Sequence, residues 1–210
     1  QVGEKQLRPE KVFQNQFGVS GSKSLKKWNL VSKLQFFQNK IQDKIVAIPT
    51  KNLFVWSIQN VGKVDAYGMD LVQNVSYSFR KNSKLNLRLN YSLIRSLDVS
   101  DPNGPTFKNQ IAYTPMHSGN LELSYAYRRW RLRFSGLYVG TRYSLNQNIP
   151  FNALPSLGVL DGHLGRQFKL KKSEFTIRFS VKNMTNSSYS FVRSFIMPGR
   201  NYLLSISYAI

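Results

Sequence analysis

The chain has 210 residues, room for one sizeable domain, and its 41% apolar and 13% aromatic content excludes a disordered polymer. Thirty Lys and Arg stand against ten Asp and Glu, for a formal net charge of +20, and there is no cysteine, which removes disulfides, thiolate metal sites and cysteine nucleophiles together. No apolar run is long enough for a transmembrane helix; a membrane strand remains open, because its alternation of lipid-facing and water-facing residues keeps average hydropathy low.

Period-two alternation recurs along the chain and predicts nine strands, near 11–21, 27–39, 54–79, 84–96, 110–127, 130–144, 157–169, 174–184 and 200–210. Trp28, Leu30, Leu34 and Phe36 form a rough stripe broken by Ser32. Leu85, Leu87, Leu89, Tyr91 and Leu93 alternate with Asn86, Arg88, Asn90 and Ser92. Leu121, Leu123, Tyr125 and Tyr127 repeat the pattern, as do Phe175, Ile177, Phe179 and Val181, and finally Tyr202, Leu204, Ile206 and Tyr208. No helical stripe competes with it. Four connections read as tight and basic (21–27, 80–84, 127–130 and 169–173), and four as long and irregular (39–53, 97–112, 144–156 and 184–198), the two kinds alternating. Short turns at one end and long loops at the other characterise outer-membrane barrels. The expected fold is therefore all-β, a transmembrane antiparallel barrel. Nine strands are an odd number and would leave two open edges in hydrocarbon, so residues 1–210 are expected to be one portion of a larger barrel.

The charges sort by position. Lys23, Lys26, Lys27, Arg80, Lys81, Lys84, Arg128, Arg129, Arg131, Lys169, Lys171 and Lys172 gather at the four short turns, where a basic ring would meet anionic lipid headgroups. Lys33, Arg88, Arg133, Arg178 and Lys182 fall on the polar side of strands and are expected to face the lumen, since Arg or Lys at the bilayer midplane costs about 2–4 kcal/mol. There they would pair with acidic groups inside the barrel or attract an anionic ligand. Nucleic acid is not an expected partner: it needs bases and stacking aromatics on one surface, and here they take opposite faces. The two histidines, His117 and His163, lack neighbours at metal-ligand spacing, and no acid/base pair, phosphate loop or nucleophile elbow occurs, so neither an enzyme nor a metal or cofactor site is expected.

Six fragments carry a family resemblance. They are Leu7-Arg8-Pro9-Glu10, Asn60-Val61-Gly62-Lys63-Val64 with Tyr67-Gly68-Met69-Asp70, Tyr113-Thr114-Pro115-Met116-His117, Tyr138-Val139-Gly140-Thr141-Arg142-Tyr143, Val181-Lys182-Asn183-Met184-Thr185-Asn186-Ser187-Ser188-Tyr189, and Met197-Pro198-Gly199-Arg200-Asn201-Tyr202. In this order they resemble the C-terminal part of the barrel of TonB-dependent outer-membrane receptors. The resemblance implies about nine C-terminal strands of a 22-stranded barrel in the outer membrane of a Gram-negative bacterium. It further implies a plug and N-terminal strands that this sequence lacks, contact with the TonB complex through that missing part, and energy-coupled uptake of a large scarce nutrient such as a metal chelate, a cobalamin-like cofactor, a glycan or a peptide. The expected partners are outer-membrane lipid, the remainder of the barrel and plug, and a surface lipoprotein or other envelope subunit. Trp56, Phe107, Arg142, Tyr143 and Phe151, near the outer mouth, are the candidate ligand contacts. A structural barrel subunit of a larger outer-membrane assembly, and a passive diffusion pore, are the alternative readings.

Overall fold

A computed structural model describes residues 7–49, 55–80, 82–170 and 173–209. Among them the chain forms one nine-stranded antiparallel sheet: β1 (Lys11–Leu25), β2 (Trp28–Pro49), β3 (Trp56–Arg80), β4 (Ser83–Asp98), β5 (His117–Tyr127), β6 (Trp130–Val139), β9 (Leu157–Leu170), β10 (Ser173–Lys182) and β11 (Asn201–Ala209). Between β6 and β9, β7 (Arg142–Tyr143) pairs with β8 (Ala153–Leu154) across a 3-10 turn at Pro150–Asn152. Strand order follows chain order, so every neighbour in the sheet is the next long strand of the sequence. The edge strands β1 and β11 run in the same direction, and the sheet is a segment of barrel wall.

Three boundaries differ from the sequence reading. The expected long connection at 39–53 is largely strand: β2 and β3 stay paired from Trp28↔Tyr77 out to Pro49↔Trp56, a hairpin rising past its neighbours. β5 begins at His117 rather than 110, and β6 ends at Val139 rather than 144, because both segments turn aside to pack in the loops. The reversals are also tighter than 21–27 and 127–130 suggested. Residues 26–27 and 128–129 make the turns, with Lys26 and Arg128 at φ 40° and 52°. Lys23, Lys84, Arg131 and Lys169 therefore belong to strands beside the turns. Lys81, Lys171 and Lys172 lie outside the described residues, as does the side chain of Arg80.

Register carries each strand's alternation across the sheet. One rung aligns Leu87 with Val75 and Leu123, and Leu123 with Phe134. Ile177 faces Ile206, and Phe179 faces Leu164 and Leu204. The result is a continuous apolar face, left uncovered: Phe17, Leu204 and Ile206 are 66%, 62% and 66% exposed. The buried apolar residues Val64, Ala66, Ile111, Leu154 and Leu157 all sit toward the long-loop end, so among the described residues no second layer packs on the sheet. An apolar surface this extensive is untenable in water and natural in hydrocarbon. The stripe from Trp28 to Phe36 has the length of one membrane-crossing strand. Ser32, which interrupts it, donates to Gln73 directly across the β2–β3 ladder at 2.6 Å, so the two polar groups on the lipid side satisfy one another. At the short-turn margin aromatic rings gather, Trp28 against Tyr77 at 4.4 Å and Tyr77 against Phe79 at 4.5 Å, the belt expected at a membrane–water boundary.

The two faces predict unequal tolerance. Leu123→Arg puts a guanidinium in mid-band and is expected to destabilise the folded barrel in vesicles by about 2–4 kcal/mol, whereas Ser124→Arg, one residue on and facing the other way, stays within about 1 kcal/mol. Urea unfolding followed by tryptophan fluorescence checks this; equal losses would mean the faces are misassigned.

Candidate functional site: the polar wall and the loop cluster

The face opposite the lipid band is a lattice of amide, hydroxyl and charged side chains. Asn74 accepts from Arg88 at 3.1 Å, Asn90 donates to Asn120 at 2.9 Å, and Ser76 donates to Asn86 at 2.9 Å. Arg133 approaches Glu122 at 3.6 Å, and Lys182 pairs with Asp161 at 2.8 Å. Lys33, Arg88, Arg133, Arg178 and Lys182 all occupy this face by register. The bases outnumber their acidic partners near the short turns. There Arg131, Arg133 and Arg178 ring a hollow of about 270 Å³, with His163, Thr176 and Ser207 in its lining. A second hollow of about 430 Å³, higher on the wall, is lined by Asn120, Asp161, Lys182 and Tyr189. The histidines are hydrogen-bonded within the sheet, His117 Nδ1 to the Tyr91 hydroxyl at 2.7 Å and His163 Nδ1 to Ser180 Oγ at 2.9 Å.

At the long-loop end the ladder stops, and side chains take over its hydrogen bonds. Gln110, buried, accepts from the Ser96 amide at 3.2 Å and donates to the carbonyls of Ile94 and Thr114 at 3.2 and 3.1 Å. Its backbone exchanges bonds with Asn148, donating to Oδ1 at 2.6 Å and accepting from Nδ2 at 3.0 Å, while the Ala112 amide donates to Asn146 Oδ1 at 2.8 Å. These contacts stitch the β4–β5 loop to the β6–β9 loop. The Tyr113 amide adds a bond to the Tyr143 carbonyl at 2.7 Å. Gly140 donates to the His117 carbonyl at 2.8 Å, and a Cβ there would sit 2.9 Å from that oxygen, so the loop's departure from β6 requires glycine.

The β10–β11 loop is joined to the same cluster by Arg142. Only 3% exposed, it donates from Nε and Nη2 to the Phe191 carbonyl at 3.3 and 3.1 Å, from Nη1 to the Pro155 carbonyl at 3.2 Å, and from Nη2 to the Ser190 carbonyl. Burial lowers its pKa from the ordinary arginine value and raises that of Tyr113, yet arginine keeps its charge across physiological pH. Asn183, buried at φ 50°, closes the base of the loop by donating to the Ser187 and Pro198 carbonyls at 2.9 and 3.3 Å. Asn186 Oδ1 accepts from the Arg200 amide at 2.8 Å. The asparagines of the Val181–Tyr189 fragment thus hold the Pro198-Gly199-Arg200 fragment in place.

The candidate ligand residues separate on this frame. Phe151 is 75% exposed, with the Arg193 guanidinium 4.6 Å from its ring centre. Phe107 is half-buried beneath the Lys108 ammonium, 5.4 Å from the ring centre, and Tyr143 is half-buried in β7. Arg142 has its guanidinium turned into the loop cluster. Trp56 opens β3 at the tip of the long hairpin, and its side chain lies outside the described residues. Ile149 and Ile196, like Phe151, are exposed apolar side chains on the loops. Sequence reasoning missed Arg193, Gln110 and the Asn146/Asn148 pair, which carry no local signal.

The model of a protein family described as "TonB dependent receptor-like, beta-barrel" matches residues 1–184. Solved structures share the fold at low identity. The ferric citrate transporter FecA in its unliganded form superposes with a TM-score of 0.70 at 14% identity, over 96% of this chain and 32% of that one. The copper transporter OprC gives 0.66 at 17%, over 97% and 33%. BauA, the ferric preacinetobactin receptor of Acinetobacter baumannii, gives 0.65 at 16%, over 95% and 30%. The chain therefore spans about a third of the length of each of these proteins.

Arg142→Ala is expected to remove the guanidinium donor from the part-buried bonds to the Pro155, Ser190 and Phe191 carbonyls, at about 1 kcal/mol for each bond lost. Limited proteolysis should then cut at residues 183–200 much faster than in the parent, and Arg142→Lys, lacking the planar fork, should restore little of the protection. Unchanged cleavage would show that the loops hold without the clamp.

Proposed function

Because the chain belongs to the TonB-dependent receptor β-barrel family, whose members are outer-membrane transport proteins, we propose that it is part of the barrel wall of an energy-coupled importer of a large, scarce nutrient. The observation that carries this reading is the division of labour along the strands: a lipid-wetted exterior, a charged and amide-rich interior, and outer loops tied into one rigid body. A passive pore needs the first two features; the interlocked loops favour a surface built to hold a ligand. Phe151, Tyr143, Phe107 and Trp56 contact that ligand, while Arg142 positions the loop bearing Phe151. A metal chelate, a cobalamin-like cofactor, a glycan or a peptide each fits a mouth of this kind. Lys33, Arg88, Arg133, Arg178 and Lys182 face the lumen and meet acidic groups of the plug. The TonB complex engages the receptor through its N-terminal part, and no bond of the ligand is made or broken.

In cells carrying the whole receptor, uptake of the cognate nutrient is expected to cease on deletion of the receptor, on loss of TonB and on collapse of the proton gradient. Uptake that continues without TonB or the gradient would identify a passive pore, and a deletion affecting envelope integrity alone would identify a scaffold.

A further inference from the structure

Arg166 departs from the sorting of charge by face. Its position in β9 gives it the parity of Leu164 and Phe168, and its ladder partners are Trp130 and Ile177, all on the apolar side. The guanidinium carbon lies 4.7 Å from the Trp130 ring centre and 4.8 Å from that of Phe168, so it is held between two rings. The rings orient the cation and leave its charge unbalanced. Arg166 is exposed and takes no part in any ion pair found among the described residues.

Its level on the wall is set by its neighbours. Trp130 is the first residue of β6, directly after the turn at 128–129, so Arg166 stands at the short-turn margin of the apolar band. The Gln167 amide donates to the Arg129 carbonyl at 3.0 Å, fixing that turn against β9. The turn brings a second exposed base, Arg128, 5.3 Å from the Tyr127 ring centre. Above them Leu132, Leu164 and Ile177 continue the apolar surface. Charge on the lipid side is expelled from mid-bilayer and tolerated at its edge, where headgroups lie. A preoriented guanidinium also loses less freedom on binding an oxyanion than a mobile lysine does.

We propose that Arg166 and Arg128, seated among Tyr127, Trp130 and Phe168, form a binding site for the phosphate of an anionic phospholipid in the periplasmic leaflet. The phosphate meets the two guanidinium groups, and the acyl chains lie along Leu132, Leu164 and Ile177. The proposal rests on the membrane-facing assignment of the sheet and is independent of what the receptor imports.

The test uses the full-length receptor in nanodiscs of equal phosphatidylglycerol and phosphatidylethanolamine, with retained lipids counted by native mass spectrometry after stepwise delipidation. The parent should keep phosphatidylglycerol preferentially. Arg166→Gln with Arg128→Gln should lower that retention by about fivefold for each base removed and leave phosphatidylethanolamine unchanged. Arg166→Lys should fall between, and Lys108→Gln on the outer loops should match the parent. Unchanged heat-modifiable mobility on gels confirms that the variants fold. Undiminished phosphatidylglycerol retention in the double variant, equal retention of both lipids by the parent, or ready displacement by millimolar inorganic phosphate would each overturn the site. Nutrient uptake measured on the same variants keeps this outcome separate from the transport reading.

Discussion

Hydrocarbon offers no partner to a peptide N–H or C=O, and an unsatisfied group there costs several kcal/mol, so every backbone polar group at that depth must be bonded within the protein. The antiparallel ladder meets that demand rung by rung from β1 to β11. It also forces the side chains into two opposed sets, because successive residues of a strand point to opposite faces. The lipid exterior and the polar interior are one consequence of the backbone's need for partners. The exposed edges of β1 and β11 show the same rule from the other side: a wall segment is complete only when further strands pair with both.

Where the ladder ends, the demand persists and other groups answer it. Gln110, Asn146, Asn148, Asn183 and Arg142 supply, from side chains, the bonds that strands would otherwise have exchanged. The loops are irregular in path and still satisfied at their cores, which makes three separate connections into one body. Under the proposed ligand role of Phe151, a loop base tied in this way reduces the backbone freedom lost on binding. Two of the polar exceptions on the lipid face follow the same logic. Ser32 and Gln73 satisfy each other, and Arg166 is displaced to the margin between aromatic rings.

Much of this was legible in the chain. Strand number, alternation, the separation of Arg88, Arg133 and Arg178 from the apolar residues of their strands, and the short turns were all available, because a period of two is a local property. The resembling fragments were legible for a physical reason now visible. Gly140 must lack a Cβ beside the His117 carbonyl, and Asn183 and Asn186 take positive φ to cap a loop. The extension of β2 to Pro49 was not legible, since residues 40–49 mix charged and apolar side chains on both faces and become strand only by pairing with β3.

What the sequence determined by itself is therefore the wall: its strands, its two faces and the family to which it belongs, all encoded in spacings of two to nine residues. What only the tertiary structure decided is the use made of individual side chains that meet distant partners. Arg142 reads as a ligand contact until it is seen bonded to a carbonyl 48 residues away, and Arg166 reads as one base among thirty until register sets it between Trp130 and Phe168. Alternation is set by each strand's own geometry, but those contacts arise from the folding of separate segments onto one another, and no local pattern records them.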